Sequence, residues 1–248
     1  MEGRLSYLSV NLDSVAVMRE TRRLSEPDPA QAAVLAELAG ADGIAIQLRR
    51  DRRYVRDRDL YLLKGIAKSK LTLEMPPVEE TIAKALEVKP WMVTFLADHA
   101  DTSTPLSPID FKTASVDFGQ IADRLRGVGV NVGFFVAPDA DDIRGAAKAG
   151  AAAVLIDCSG YTEARTLAEA QAELDRVDQA ARAASKADLS VHCGRGINYR
   201  NVSPLVELGY VDEFVIGYAI CARGMLTGFD RAVREMASLV HVEASRLE

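Results

Sequence analysis

The feature that most constrains the fold of this chain is an alternation of short apolar runs with longer helical patterns. The apolar runs are rich in Val, Ile, Leu and Ala, as is typical of buried parallel strands. They lie near 6–12, 43–48, 70–75, 91–96, 130–135, 152–157, 189–193 and 213–217. The helical patterns lie near 29–38, 58–67, 78–87, 116–127, 139–148, 163–185, 201–208 and 219–239. Strict alternation predicts an α/β fold, a (β/α)8 TIM barrel with extra helices, and an open doubly wound sheet is the alternative.

Polar groups suited to chemistry follow the ends of several apolar runs. These are Asn11, Asp13, Gln47, Arg49, Glu74, Asp157, Gly194-Arg195-Gly196 and Gly217-Tyr218. The carboxyl ends of the strands of a barrel meet at one rim, so we expect the active site there. The stretch 98–117, rich in Ser, Thr, Pro and Asp, follows the fourth run and is interpreted as a loop or lid at this rim. The segment 163–185 is longer than a barrel helix needs, which indicates an added helix used in subunit contacts.

Length and charge narrow the class of protein. The chain has 248 residues and a formal net charge of -6, which argues against a general nucleic-acid-binding protein. No apolar run reaches the roughly 18 residues that span a bilayer, and no signal-peptide layout is present. Three scattered cysteines indicate neither a disulfide framework nor a zinc site. We expect one cytoplasmic domain over 1–248, with no metal, cofactor, membrane or nucleic-acid partner; Leu247-Glu248 is typical of a vector-derived tail.

Glu74 is the candidate catalytic acid or base. It closes the third apolar run and precedes Met75-Pro76-Pro77. A carboxyl group at the mouth of a barrel is partly buried, which raises its pKa toward the range useful for proton transfer. A structural ion pair with an arginine of the rim is the alternative.

A run of charged residues, 49–58, follows the second strand. Such runs are usually solvated, but arginine also binds phosphate through its bidentate guanidinium group. Arg49 and Arg52 are the candidate anion-binding pair, with a solvated surface as the alternative. Arg19 and Arg22, assigned to a loop after the first strand, are expected to extend the same positive rim.

Two glycine turns follow the last two strands, at Gly194-Arg195-Gly196 and at Gly217-Tyr218. Barrels commonly bind phosphate with backbone amides of these two loops and with a helix N-terminus. A side chain in place of glycine would block the approach of an anion. The two turns are therefore the candidate phosphate-binding sites.

His192 lies in the seventh apolar run, one residue before Cys193, and Cys158 directly follows the sixth run. A lone histidine in a strand is more often a hydrogen-bonded core residue than a base, and this is the interpretation of His192. Cys158 and Cys193 are each expected to act as a small buried hydrophobe.

Several segments recur, in order along nearly the whole chain, in one known family. They are Val10-Asn11-Leu12-Asp13, Pro27-Asp28-Pro29, Ala39-Gly40-Ala41-Asp42-Gly43-Ile44, Leu48-Arg49-x-Asp51-Arg52-Arg53, Asp57-Arg58-Asp59, Leu73-Glu74-Met75 and Ile216-Gly217-x-Ala219-Ile220. With them the chain resembles the pyridoxine 5'-phosphate synthase family. The resemblance implies a (β/α)8 barrel whose extra helices build an octamer. It also implies condensation of 1-deoxy-D-xylulose 5-phosphate with 3-amino-2-oxopropyl phosphate, a transferase-type step of vitamin B6 biosynthesis that closes a pyridine ring and releases phosphate and water.

The resemblance assigns roles by position. It implies that Asn11 contacts the amino-ketone phosphate, that Asp13 and Arg49 contact the sugar phosphate, and that Glu74 is the catalytic acid or base. It places Thr104 in the loop that closes over the substrate. The remaining implied contacts are to phosphate or to a neighbouring site, and they belong to Gly196, Gly217, Tyr218 and Arg22.

The chain also departs from the family's pattern. Ser14, Gln47, Arg195 and Tyr218 stand where the family has histidine, and Ile156 stands where a glutamate is expected. Gln47 and Arg195 thus occupy catalytic positions, although glutamine does not titrate and arginine stays charged.

Three functions stay open at this point. The first is a pyridoxine 5'-phosphate synthase in which Glu74 does most of the proton transfer. The second is a relative with different lyase or condensation chemistry on a phosphorylated or carboxylated carbonyl compound. The third is a non-catalytic protein that binds a phosphorylated metabolite.

Overall fold

Eight parallel strands close into one barrel, in which β1 to β8 follow one another in chain order. The computed structural model describes residues 5–97 and 107–242. The strands are β1 Tyr7–Asn11, β2 Gly43–Gln47, β3 Lys70–Met75, β4 Met92–Phe95, β5 Asn131–Val136, β6 Ala153–Asp157, β7 Ser190–Gly194 and β8 Glu213–Ile216. The closed barrel confirms the predicted (β/α)8 fold over the open sheet, and every strand lies close to its predicted bounds.

Helices surround the barrel and outnumber the eight that the sequence predicted. They are α1 Asp13–Arg22, α2 Pro29–Leu38, α3 Asp57–Ile66, α4 Glu79–Val88, α5 Phe118–Arg126, α6 Ala140–Lys148, α7 Ser159–Thr162, α8 Leu167–Lys186, α9 Val202–Glu207, α10 Tyr218–Thr227 and α11 Phe229–Val240. The predicted helix over 219–239 is two helices, because Gly228 adopts a left-handed φ of 92° between α10 and α11. Within the described ranges, no helix is both long and apolar enough to cross a bilayer.

Capping groups explain where several helices begin. The Asp28 carboxylate accepts a hydrogen bond from the Ala30 N–H at 2.9 Å, and Pro29 occupies the first turn of α2. Thr166 and Glu169 form a reciprocal capping box at the start of α8. Because the sequence carries these signals, both helix starts lie close to the predicted positions.

The sequence did not predict helix α1, and it therefore assigned Arg19 to a loop instead of a helix. Residues 13–22 follow β1 directly with no side-chain cap, so the sequence offers no start signal. The structure places Arg19 in this helix with 1% of its surface exposed, in a bidentate ion pair with Asp59 of α3 at 2.7 Å. The prediction that Arg19 extends a positive rim is therefore wrong. Its charge is neutralised inside the protein.

Strand register decides which side chains face the barrel interior. Gln47 pairs with Glu74 across β2 and β3, and Glu74 pairs with Thr94 across β3 and β4. Paired positions in a parallel sheet face the same side. A separate apolar cluster lies in the barrel interior, and it consists of Ala45, Leu96, Phe135, Leu155 and Val215. Glu74 therefore has apolar neighbours near the carboxyl end of its strand.

The opposite end of the barrel is polar and closely packed. His192 pairs in register with Glu213, and the His192 Nδ1 atom lies 3.9 Å from a carboxylate oxygen of Glu213. The Lys70 ammonium lies 4.9 Å from the centre of the Tyr7 ring and 4.4 Å from that of Trp91. Cation–π contacts of this kind hold the lysine at the amino-terminal end of the barrel.

Candidate active site

A cavity of about 830 Å³ opens at the carboxyl ends of the strands. Its wall carries most of the side chains and glycines that the sequence singled out at strand ends. Those on the wall are Asn11, Asp13, Ser14, Glu74, Arg195, Gly196, Gly217 and Tyr218. The structure thus brings these residues together at one rim, as the sequence predicted, and their roles stay predictions.

Glu74 is a buried acid at the bottom of this cavity. Only 4% of its surface is exposed. Burial and, to a smaller extent, the nearby Asp13 charge raise the pKa of Glu74 to about 8, although Arg195 and the Asn11 amide oppose the rise. A carboxyl group in this state holds a proton near neutral pH and can donate it to a bound substrate.

Asp13 is a second acid of the cavity wall, and its side chain is held in place from two sides. The Gln47 N–H donates to its Oδ1 atom at 2.7 Å, and the Asn11 side-chain amide donates to its Oδ2 atom at 3.0 Å. The Oδ1 atom of the same Asn11 side chain in turn accepts from the Asp13 backbone N–H at 2.9 Å. Burial raises the pKa of Asp13 to about 6, while these donors and the charge of Arg49 limit the rise.

Arg195 brings a permanent positive charge to the same wall. It adopts a left-handed φ of 76°, and its guanidinium carbon lies 5.9 Å from the centre of the Phe135 ring. The next residue, Gly196, is also left-handed, and a Cβ atom there would lie 2.0 Å from the Thr162 hydroxyl oxygen. Glycine is required at 196 by the protein itself, which adds to the predicted reason, access for an anion.

Gly217 precedes α10 and packs against the backbone of β1. A Cβ atom at this position would lie 2.6 Å from the Asn11 carbonyl oxygen and 3.0 Å from the Asn11 Cβ and Oδ1 atoms. The glycine therefore allows α10 to begin directly beside Asn11. The free N–H groups of the first turn of α10 provide donors for an anion, and Tyr218, with 80% of its surface exposed, lies in that turn.

Arg49 and Arg52, the predicted anion-binding pair, differ in what their side chains contact. Arg49 is close enough to Asp13 to lower its pKa, and its Nε atom lies 3.3 Å from Asp51. Arg52 forms ion pairs with Asp57 at 2.7 Å and Glu80 at 2.9 Å, and it donates to the Arg49 carbonyl at 2.6 Å. Arg52 thus fixes the loop that presents Arg49.

Arg22 lies on the exposed last turn of α1 and is not on the cavity wall. Thr104 lies outside the described residues. The substrate contacts that the resemblance implies for these two residues stay predictions.

The replacements of the family's histidines lie at or beside the cavity. Gln47 is half-buried at the end of β2, directly across from Glu74 in strand register. On β6, Ile156, which stands where the family has a glutamate, is fully buried in the core outside the barrel, and Leu155 is the side chain that reaches the cavity wall. Alternation along the strand turns Ile156 away from the interior, so the wall at this strand is apolar.

Sequence reasoning missed one side of the cavity. Glu163 follows α7, and Arg223 lies on α10. The segment 198–200, Asn198-Tyr199-Arg200, follows the glycine turn of β7 and also lines the wall. Its position directly after a predicted phosphate loop is the signal that could have found it.

His192 and the cysteines have the structural settings that the sequence favoured. His192 is buried, and its Nε2 atom lies 3.1 Å from the Ser190 hydroxyl. Cys158, Cys193 and Cys221 are buried free cysteines. Across residues 5–97 and 107–242, no group of three or more His, Cys, Asp or Glu side chains is placed to hold a metal ion.

Solved structures with other sequences share this fold. Tryptophan synthase from M. tuberculosis superposes with a TM-score of 0.64 at 16% identity, over 96% of this chain and 94% of that chain. The tryptophan synthase A-subunit of Pyrococcus furiosus gives a TM-score of 0.63 at 12% identity, over 96% and 100% of the two chains. At such identities the likeness concerns the fold alone.

Relatives of higher identity define the family. Residues 8–242 match the family described as pyridoxal phosphate biosynthesis protein PdxJ. Pyridoxine 5'-phosphate synthase of Geobacter sulfurreducens is 41% identical over 236 residues, which cover 95% of this chain and 99% of the relative. Pyridoxine 5'-phosphate synthase of Synechococcus sp. is 42% identical over 229 residues, covering 92% and 96%. The chain belongs to the PdxJ family of pyridoxal phosphate biosynthesis proteins.

Proposed function

We propose that this chain is a synthase of vitamin B6 biosynthesis that condenses 1-deoxy-D-xylulose 5-phosphate with 3-amino-2-oxopropyl phosphate. The observation that carries the proposal is the buried Glu74 at the bottom of a rim cavity, in a chain that is 41% identical to a pyridoxine 5'-phosphate synthase. Joining an amine to a ketone and expelling water requires an acid that is still protonated near neutral pH. Glu74, with its raised pKa, meets this requirement.

Phosphate binding is assigned to the last two loops of the barrel. The backbone at Gly196 and the first turn of α10 after Gly217 lie on the cavity wall and offer N–H donors. Arg195 lies on the same wall, near enough to Glu74 to act on its pKa, and its charge attracts an anionic substrate. Arg49, held by Arg52, brings positive charge to the side of Asp13.

A second candidate function rests on Gln47 and Arg195. Gln47 lies across from Glu74 and cannot transfer protons, and Arg195 is a permanent cation beside the same acid. A site with this charge also suits condensation or lyase chemistry on a carbonyl compound that carries a further phosphate or carboxylate group. The two candidates share Glu74 and the phosphate loops, and they differ in the substrate.

The decisive experiment supplies the purified protein with both substrates and follows pyridoxine 5'-phosphate by absorbance. We expect turnover that falls by about 10²–10⁴-fold in Glu74→Gln, because one general acid contributes about that factor. Glu79→Gln is the matched control: it makes the same chemical change on α4, where Glu79 is exposed and paired with Arg124.

The outcomes separate the candidates. Absence of product from the wild-type protein would exclude the synthase, and thermal stabilisation by phosphorylated keto acids would then support the second function. Stabilisation by inorganic phosphate without turnover of either substrate class would indicate a protein that only binds phosphorylated metabolites.

A further inference from the structure

One amide lies close to both buried acids of the cavity. The Asn11 side-chain amide donates to Asp13 at 3.0 Å, and it is near enough to Glu74 to oppose the rise in the pKa of that carboxyl group. The carbonyl oxygen of the same amide is occupied by the Asp13 backbone N–H, which fixes the orientation of the amide group. Gly217 packs against Asn11 from the other side. Asp13 and Glu74, called the carboxyl pair below, thus lie on one cavity wall beside a side chain of fixed orientation.

Charged and titratable groups face the carboxyl pair from every surrounding element. They are Arg49 after β2, Arg195 after β7, Glu213 on β8, Cys221 on α10 and, on the cavity wall, Glu163, Tyr199, Arg200, Tyr218 and Arg223. Of these, Arg49 acts on Asp13 and Arg195 acts on Glu74, whereas Glu213 disfavours a charge on Glu74.

The two acids differ in how well their charged forms are stabilised. Asp13 accepts the Gln47 N–H and lies near Arg49, which favours its carboxylate. Glu74 is more deeply buried, and the charge of Glu213 acts on it through the barrel interior, so that both favour the neutral form of Glu74. Two neighbouring carboxyl groups in a site of low dielectric constant do not both ionise readily. Near neutral pH, the ionised group is therefore Asp13 and the protonated group is Glu74.

We propose that Asp13 and Glu74 act together as one acid–base pair that holds a single proton, with Asp13 as the base and Glu74 as the acid. This inference rests on the proposed function for the identity of its substrate. It assigns proton transfer to Asp13, beyond the contact with the sugar phosphate that the resemblance implies. The pair supplies the two proton transfers for which the chain has no titratable group at Gln47 or Arg195.

The step served by the pair is the loss of water from the adduct of the amine and the ketone. The Asp13 carboxylate takes the proton from nitrogen, and the electron pair of that N–H bond becomes the second bond of C=N. The C–O bond breaks, its electron pair leaves with oxygen, and Glu74 donates its proton to that oxygen, which departs as water. Asp13 is then neutral and Glu74 ionised. One proton passing from Asp13 to Glu74 through water restores the pair.

The first test titrates the carboxyl groups directly by ¹³C NMR, with wild-type protein labelled at Asp and Glu side chains. We expect two steps, near pH 6 and pH 8, as apparent values of the pair. In Asp13→Asn, the Glu74 step should move down by about one pH unit or more, because the neighbouring charge is gone. Asp178→Asn, the same change on the outer side of α8, should move neither step.

The second test measures kcat and KM against pH with both substrates. We expect Asp13→Asn to lower kcat by about 10²–10⁴-fold, to abolish the acidic limb of the profile and to change KM less than tenfold. A raised KM with kcat and the acidic limb preserved would overturn the inference, because Asp13 would then only bind the sugar phosphate.

The NMR titration tests whether Asp13 and Glu74 titrate as a pair, and it does so independently of turnover. If the wild-type protein makes no product, the proposed function fails, but a Glu74 step that stays in place in Asp13→Asn would still overturn the pair. If Asp13→Asn does not fold, Asn11→Ala takes its place, because it removes the amide beside the carboxyl pair and leaves both acids. Both steps should then move up, and an unchanged titration would overturn the inference.

Discussion

Two buried clusters of charge, only a helix apart, differ in how their charges are balanced. Arg19 and Asp59 join α1 to α3 as a bidentate ion pair, and the guanidinium group also donates to Glu20 and to the Tyr54 carbonyl. At the start of the same helix, Asp13 faces Glu74, so two acids share one site. The first cluster has a partner for each charge, whereas in the second, burial and a neighbouring acid raise the pKa of Glu74.

The difference shows how burial produces structure in one place and chemistry in the other. A buried charge that is fully paired costs little to keep and a great deal to break. Like charges that are buried together instead shift their pKa values toward neutrality, which is what proton transfer needs. Helix α1 carries both consequences, since its first residue belongs to the cavity and its seventh to the core.

The largest effect should come from breaking the balanced cluster. Arg19→Met leaves the Asp59 carboxylate buried without its partner, and we expect a loss of about 3–5 kcal/mol in the free energy of unfolding, measured by urea denaturation. The double variant Arg19→Met/Asp59→Leu should recover most of that loss, because no charge then remains. A single variant as stable as the wild type would remove the contrast between the clusters.

The second-largest effect concerns the cluster of Asp13 and Glu74. Here the buried acid lowers the free energy of unfolding, so removing it should stabilise the protein. The pKa of Glu74 rises from an ordinary 4.5 to about 8 in the folded protein. Between these values the unfolded chain releases this proton while the folded chain keeps it, so stability falls by about 1.4 kcal/mol per pH unit. Below pH 4.5 the group contributes nothing, and above pH 8 its cost is complete.

Glu74→Gln should therefore stabilise the protein by a few kcal/mol above pH 8 and by little near pH 5. Urea denaturation at both pH values measures the difference. Glu79→Gln, on the exposed surface of α4, should lack this pH dependence. An equal gain at both pH values would show that the buried charge is not its cause.

The third effect concerns the Asn11 amide beside the two acids. In Gly217→Ala, the new Cβ atom would meet the Asn11 carbonyl oxygen at 2.6 Å, and we expect a cost of about 1–3 kcal/mol. The arrangement of the cavity should change as well, because the Asn11 side chain is hydrogen-bonded to Asp13 of the carboxyl pair. Gly65→Ala in α3 meets no atom within 4 Å and should gain up to about 1 kcal/mol in the same denaturation assay.

The smallest effect is expected for an exposed ion pair, which shows what a surface pair contributes in comparison with the buried pair of Arg19 and Asp59. Arg58 is 59% exposed and lies 3.5 Å from Asp28, close to the helices that Arg19 joins. Arg58→Ala should change the free energy of unfolding by less than about 1 kcal/mol, and high salt should reduce even that difference. A loss as large as that of Arg19→Met would mean that burial does not distinguish the two ion pairs.

The strands could be predicted from sequence because each is a short apolar run bounded by polar residues or glycine. Helix α1 could not, since it follows β1 without a cap, and its Arg19 finds Asp59 only through the tertiary fold. The break between α10 and α11 at Gly228 needed a backbone angle that the residue type permits but does not impose.

Glu74, Asn11 and Asp13 could be placed at the rim because each lies at or just beyond the end of a predicted strand. The position of one amide close to both acids could not be predicted, because it depends on distances between β1 and β3. The side of the wall formed by 198–200 was missed for a related reason: its residues follow a strand end by several positions, and only the loop path brings them to the cavity.

The positions of Gln47, Arg195 and Tyr218 outside the packed core bear on how the activity of this barrel can evolve. None of these side chains lies in the packed core, and Tyr218 is largely exposed. We expect substitutions there to alter reactivity and to leave the packed interior and the Arg19–Asp59 pair intact. A mutant library randomised at these three codons would sample new activities at little risk to folding, which makes the cavity an evolvable part of a conservative scaffold.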